Sequence, residues 1–461
     1  MNADSGARAI GGCALLGLAV LGAVVGGCGH ESGPPRWNVV VVLVDTLRAD
    51  HLSTYGYSRS TSPFVDRMAE RGVVFQQARS QAACTFPSVN SLLTSRYPQH
   101  FQNAVHEHGW AIPGYLPTMA EMLKAVDYST AAVSSSGIVR VNPSPRNPDG
   151  GYGAGFDEFD DGCFREPASC VNRVAFEMLD RLAEPFFLYL HYFEPHSPYQ
   201  PPESYDRAFA TGVVDKRWVD RGELGRLSRE LYADGPPTEF SDGDLAHTID
   251  LYDDEIRYFD REFERLVAKL EELGSLDRTL LVLLSDHGEE FLEHGHVYHC
   301  RDLTYDTVVR TPMVFWIPGL DQPGERAELA QNLDVLPTVL DYLQVDASGL
   351  EIDGASLRPL IEDGEPVHRY VYGVQRYARW VVDGRYKLTV NNKTGETLLF
   401  DLRDDPQELT DLSTSRPQVA ADLRVVLERW IDGVEGDVEQ SARVEAATAV
   451  TERLRSLGYL Q

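Results

Sequence analysis

Two runs of apolar residues, each closing on a carboxylate, constrain this chain more than any other feature. Asn38-Val39-Val40-Val41-Val42-Leu43-Val44 leads into Asp45, and Thr279-Leu280-Leu281-Val282-Leu283-Leu284 leads into Ser285-Asp286-His287. Runs this continuous read as strands buried on both faces, as in a sheet covered by helices on either side. Phe186-Phe187-Leu188-Tyr189-Leu190 is a third, and Arg310 to Trp316 is a further strand candidate with Pro312 near its start. Helical patterns alternate with them. Ser62-Pro63 opens one, Ser88 to Leu93 starts another, and Leu251 to Leu273 predicts a long amphipathic helix with acidic residues on its outer face. The alternation predicts an α/β fold, a sheet with helices on both faces. Ligands of such sheets gather at the carboxyl ends of strands, where Asp45, Asp286 and His287 stand.

The pattern changes near residue 346. Tyr370-Val371-Tyr372-Gly373, Ala378 to Val382, Tyr386 to Thr389 and Leu398 to Asp401 are short strand-like segments, with turn signals at Asp383-Gly384 and Asn391 to Gly395. They predict a small C-terminal antiparallel sheet, followed by a helix over about Pro417 to Ile431 and a terminal helix over Val444 to Leu457. The expected organisation is a signal peptide at 1–27, a tether at 28–36, a catalytic domain at 37–345, a C-terminal α+β subdomain at 346–436 and a helical tail at 437–461.

With 71 acidic against 42 basic residues the formal net charge is -29, and no Lys/Arg-rich run occurs. The balance argues against binding nucleic acid or an anionic membrane surface. Arg8 precedes an apolar stretch from Ala9 to Gly27, a charged start and hydrophobic run of secretory type. It ends Val25-Gly26-Gly27-Cys28, which predicts a lipoprotein anchored to the membrane through lipid on Cys28; a transmembrane anchor is the alternative. The expected location is the cell envelope, periplasm or outer surface, where disulfides are permitted. Cys163 and Cys170 are the candidate pair, and Cys84 with Cys300 is a second conceivable one.

The sequence Cys84-Thr85-Phe86-Pro87-Ser88-Val89-Asn90-Ser91-Leu92-Leu93-Thr94-Ser95-Arg96 passes from a loop into a helix. A hydroxyl at Thr85 would face that helix's N-terminus, a natural anion site, although Thr85 alone could be a helix cap. Two carboxylates, an imidazole and a hydroxyl at one sheet edge make a site for one divalent metal: oxygen ligands suit Mg, Ca or Mn, and the imidazole favours Mn or Zn. His294, His296 and His299 form a His-rich loop able to offer a proton near neutral pH.

These segments resemble the sulfatase family of the alkaline phosphatase superfamily. The family's nucleophile pattern runs nucleophile, any residue, Pro, Ser, Arg, three residues, Leu-Thr-Gly-Arg. Pro87 and Leu93-Thr94-Ser95-Arg96 fix the register, so the nucleophile slot falls on Thr85 and the Arg slot on Val89. Val44-Asp45-Thr46-Leu47-Arg48 resembles the family's metal-binding opening, with Thr46 where many members carry a second Asp. Ser285-Asp286-His287-Gly288-Glu289 resembles the second metal segment, and His191 to Tyr199 the Pro-His-x-Pro-Tyr segment. Tyr252 to Asp260, Asp334 to Thr338 and Phe400 to Glu408 are similar to later family signatures. The resemblance implies an alkaline-phosphatase-like fold and a metal site of Asp45, Thr85, Asp286 and His287. It implies His196 at the ester or leaving oxygen, and His299 or Arg301 in place of the family's catalytic Lys.

The implied function is metal-dependent hydrolysis of a sulfate or phosphate ester by attack of Thr85. A formylglycine hydrate can eliminate sulfate, whereas a Thr ester cannot, so Thr85 favours attack at phosphorus. The alternatives are a phosphodiesterase, a transferase of phosphoethanolamine or phosphoglycerol, and a non-catalytic member that binds glycans.

Overall fold

The computed structural model describes residues 36–101, 112–143, 147, 150–202, 205–210 and 241–434. The expected signal peptide, the lipid site at Cys28 and the helical tail lie outside these residues. Among the described residues the strands are β1 (Asn38–Val44), β2 (Val73–Arg79), β3 (Ser129–Ser134), β4 (Glu158–Asp160), β5 (Phe186–Tyr192), β6 (Thr279–Ser285), β7 (Glu290–Phe291), β8 (Val297–Tyr298), β9 (Met313–Trp316) and β10 (Gly324–Gln331). β7 and β8 pair with each other; the rest form one sheet in the order β10-β2-β9-β6-β1-β5-β3-β4. The centre is parallel, β1 lying between β5 and β6, while β9 runs antiparallel to its neighbours β2 and β6.

The continuous apolar runs have a direct cause. Val40, Val42 and Val44 of β1 and Leu281 and Leu283 of β6 pack into one core, with Leu251, Phe259, Phe263 and Leu266 of the helix Asp242–Glu272. Val39, Val41 and Leu43 with Leu280, Val282 and Leu284 pack into another, with Val89, Leu92 and Leu93 of the helix Thr85–Thr94. Successive side chains point to opposite faces and both faces are covered, so the middles of β1 and β6 are apolar throughout and polar residues stand only at their ends.

Several expectations are corrected. The second helix starts at Thr85 rather than Ser88, with Cys84 as its N-cap, so Thr85 is the first helical residue and not the cap. Pro87 is tolerated because a first-turn N–H has no intrahelical partner. The Arg310–Trp316 candidate narrows to Met313–Trp316 beyond Pro312. The long helix spans Asp242–Glu272, capped by Ser241 and Asp244. Its acidic residues are not all on an outer face: Asp253, Asp254, Glu255, Asp260 and Glu262 are buried. Asp254 accepts the backbone N–H groups of Ala208, Phe209 and Ala210, and Asp260 those of Phe64 and Val65. Asp253 accepts from Tyr57 and Arg59 and bonds His51. These carboxylates tie loops to the helix, which offsets their desolvation.

β11 (Val371–Gln375), β12 (Ala378–Val382), β13 (Tyr386–Asn391) and β14 (Thr397–Asp401) form the expected antiparallel sheet, in that order. A helix follows, its described residues running from 417 to 434. Lys387 of β13, fully buried, lies 2.9 Å from both Asp306 Oδ1 and Glu408 Oε1, while Arg79 of β2 reaches Asp306 Oδ2 at 2.6 Å. Burial opposes ionisation of Asp306, but the Arg79 and Lys387 charges hold its carboxyl well below the usual range. Two cations thus balance two carboxylates between β2 and the C-terminal sheet. Lys387→Met strands one carboxylate and should destabilise the fold by about 3–5 kcal/mol. Urea unfolding checks this; a loss below about 1 kcal/mol would show that the cluster is not balanced by Lys387.

Candidate active site

Register builds the site. In the parallel pairing of β1 with β6, Val44 stands opposite Ser285, so Asp45 and Asp286 emerge side by side at the carboxyl edge. The Asp45 N–H donates to Tyr192 O at 3.0 Å, which fixes the same edge against β5. Thr46 turns the chain at once, with φ 58°, in the left-handed region that a β-branched residue enters only under constraint. The constraint is visible: Thr46 N–H donates to Asp286 Oδ1 at 3.2 Å, and Thr46 O accepts from Tyr252 Oη at 2.7 Å.

Ligand atoms of Asp45, Asp286 and His287 lie within 4.8 Å of one another, and all three residues are buried. His287 Nδ1 lies 3.0 Å from Gly288 O, a contact that makes it the N–H donor. Nε2 is then the lone-pair nitrogen, 3.3 Å from Asp286 Oδ2 and 3.9 Å from Asp45 Oδ1. Thr85 Oγ1 lies 3.3 Å from the same Nε2. Asp45 Oδ1, Asp286 Oδ2 and Thr46 Oγ1 are buried without a hydrogen-bond partner. Burial and the neighbouring Asp286 charge push the Asp45 carboxyl well above its ordinary range, although His287 opposes this. Orphaned carboxylate oxygens crowded together, beside an oriented imidazole, fit a divalent cation.

His299 joins this group. Its ring centre is 4.3 Å from that of His287, and its Nδ1 lies 2.9 Å from Glu289 Oε1. Tyr199 donates to Glu289 Oε2 at 3.0 Å. Burial draws His299 down to about 4 and lifts Glu289 to about 7. His196 lies one ring further out, 5.1 Å from His299, with Nδ1 2.7 Å from Ser197 O; burial holds its imidazole at about 3. Arg301 follows on the same loop with φ 53°; burial, then the His294 and Arg301 charges, lower His296 against the opposing charge of Glu290. The other loop histidines have other tasks. His294 stacks on Tyr305 at 3.6 Å, and its ring nitrogens contact Glu290 and Gln407 O.

Sequence reasoning passed over His191, Glu289 and Tyr199 as site residues. His191 Nε2 is 3.3 Å from Asp45 Oδ2, and burial lowers it to about 4. Its signal was a histidine inside the apolar run of β5, the strand beside β1. Val89 is buried among apolar neighbours, and the buried guanidiniums of Arg48 and Arg79 are closed on Asp50 and Glu293 and on Asp306. The candidate disulfide Cys163–Cys170 forms, and so does the conceivable second one, Cys84–Cys300, which joins the residue before Thr85 to the residue after His299. Gln375, at the end of β11, accepts the Ala83 N–H at 3.0 Å and donates to Cys84 Sγ at 3.4 Å.

A hydroxyl at a helix N-terminus, beside an imidazole that adjoins two buried carboxylates at the edge of a mixed α/β sheet, suits the hydrolysis of an ester. The sulfatase profile matches residues 37–345, and a profile described as N-sulphoglucosamine sulphohydrolase, C-terminal, matches residues 293–432. The chain belongs to the sulfatase family. It is 23% identical over 445 residues to an arylsulfatase of Clostridium perfringens, across 82% of this chain and 90% of that one. It shares its fold with a solved 2-O GAG sulfatase (TM-score 0.70, 19% identity, 88% of this chain and 94% of that one). It also shares it with the phosphonate monoester hydrolase of Agrobacterium radiobacter (TM-score 0.66, 19% identity, 87% and 96%).

Proposed function

We propose that this protein hydrolyses phosphate or sulfate esters outside the cytoplasm, with Thr85 as nucleophile and a divalent cation held by Asp45, Asp286, His287 and Thr85. The observation that carries the reading is the 3.3 Å approach of Thr85 Oγ1 to His287 Nε2 beside the two unpartnered carboxylate oxygens. A divalent cation there supplies charge neutralisation and favours an ionised oxygen nucleophile. Thr85 Oγ1 attacks phosphorus or sulfur in line, forming the Thr–O–P or Thr–O–S bond as the bond to the leaving oxygen breaks. Thr85 gives up its proton to solvent as it ionises, and His299, its ring held by Glu289 at Nδ1, donates a proton to the leaving alcohol. Water then cleaves the Thr ester, and its proton restores the hydroxyl.

Thr at the nucleophile slot supports phosphorus as the preferred centre, and the likeness to a phosphonate monoester hydrolase points the same way. The family and the arylsulfatase relative support sulfate. The two disulfides support an oxidising compartment, in keeping with envelope anchoring through Cys28. Purified protein should contain a divalent metal. On aryl sulfate, phosphate monoester, phosphodiester and phosphonate substrates, its best phosphorus ester should be turned over at least about tenfold faster than aryl sulfate. No turnover of any ester by metal-replete protein would reject the reading and leave glycan binding in its place.

A further inference from the structure

We infer that the Cys84–Cys300 disulfide is a positioning element that holds the His299 loop against the segment leading into Thr85. The inference deepens the reaction proposed above and rests on the roles given there to Thr85 and His299. The bond joins two segments 216 residues apart in sequence, at the positions immediately flanking those two side chains. Beside it, the Cys300 N–H donates to Ala83 O at 2.7 Å. The loop so held is not one the chain adopts freely. Tyr298, Cys300 and Arg301 have φ of 75°, 70° and 53°, all left-handed and all bearing a Cβ. Each such residue raises the local energy and persists only where its surroundings enforce it. The hairpin that leads into the loop is β7 with β8, two residues each, too short to enforce anything alone. The His299 ring itself is bonded at Nδ1 to Glu289 and packs beside the rings of His287 and His196. That bond orients the ring but leaves the backbone to relax. The disulfide is the covalent restraint, and Gln375 at Cys84 Sγ fixes its other end.

Loss of the bond should therefore let residues 296–301 leave the strained conformation and carry His299 away from the leaving oxygen. A displacement near 1 Å at a proton donor costs on the order of 100-fold in rate. Substrate binding, supplied mainly by the cation site, should change little.

The test compares Cys84→Ser/Cys300→Ser with Cys163→Ser/Cys170→Ser, which removes the other disulfide without touching a neighbour of Thr85 or His299. Turnover of the best aryl ester, bound metal, thermal midpoint and hydrogen–deuterium exchange are measured on each. We expect kcat to fall about 10- to 100-fold in the first double variant, with KM within about threefold and metal content kept. Exchange over 296–301 should accelerate. The second double variant should keep wild-type kcat. Wild-type kcat in the first variant, or equal losses of kcat in both that follow their thermal midpoints, overturns the inference. Should the first variant not fold, oxidised Cys163→Ser/Cys170→Ser protein, whose remaining described disulfide is Cys84–Cys300, is treated with a trialkylphosphine. The phosphine gives two electrons to the S–S bond and takes the oxygen of a water, whose protons complete two thiols, and the same fall in kcat is expected. If wild-type protein turns over no ester, the catalytic reading fails separately. Exchange over 296–301 then decides the positioning claim, and unchanged exchange overturns it.

Discussion

Thr85→Ala should reduce turnover by about 10³- to 10⁶-fold, the range expected when a covalent nucleophile is removed from a site whose members act as a unit. The prediction follows from placement. Thr85 is the first residue of its helix, and Cys84 is the cap, so the hydroxyl has no structural task that alanine would leave undone. The thermal midpoint should therefore move little, because alanine is a good helix former and the site is in the first turn. Thr85→Ser keeps the oxygen and should retain turnover within about tenfold. Acid-quenched assays with an ester radiolabelled on the transferred phosphoryl or sulfuryl group should trap label on wild-type protein but not on Thr85→Ala. Unchanged turnover in Thr85→Ala would end the case for this nucleophile.

Asp45→Asn should abolish both metal retention and turnover, yet leave the metal-free protein more stable than wild type. The two effects share one origin. Asp45 and Asp286 emerge side by side from adjacent parallel strands, buried, each with an oxygen that has no hydrogen-bond partner. Without a cation the pair is repulsive and desolvated, and replacing one carboxylate by an amide should add about 1–3 kcal/mol. With excess divalent metal the order should reverse, since only wild type gains stability by binding. Thermal melts with chelator and with added Mn²⁺ or Zn²⁺, together with elemental analysis, check both halves. Wild-type metal content in Asp45→Asn would show that the carboxylate pair is not the ligand set.

The strand ends were legible in the sequence because buried parallel strands read as apolar runs, and a carboxylate at the end of such a run has few roles. Asp45 and Asp286 could be paired before their strands were known to be neighbours. The residue in the family's nucleophile slot could be read by register, and the C-terminal sheet by alternation and turn residues. The buried acids of the helix Asp242–Glu272 could not be anticipated. Asp254 satisfies N–H groups at 208–210, more than forty residues away, and no local pattern marks such a partner. The histidine loop fails for a similar reason. His294 and His299 look alike in sequence, but one closes on Tyr305 and Gln407 and the other on Glu289. β10, with the sequence Gly-Glu-Arg-Ala-Glu-Leu-Ala-Gln, is partly exposed over its first half and shows no apolar run to announce it.

The contact of Gln375 with Ala83 and Cys84 bears on how this architecture can be cut or recombined. A boundary drawn before the four C-terminal strands would look clean, since those strands form a sheet of their own. Yet Gln375, together with the Val374 N–H that reaches Gln81 O at 2.8 Å, props the loop that delivers Thr85. Catalytic and C-terminal segments are therefore not interchangeable modules. A chimera that exchanges one for a relative's must carry the β11 end and the 81–84 loop as a matched set.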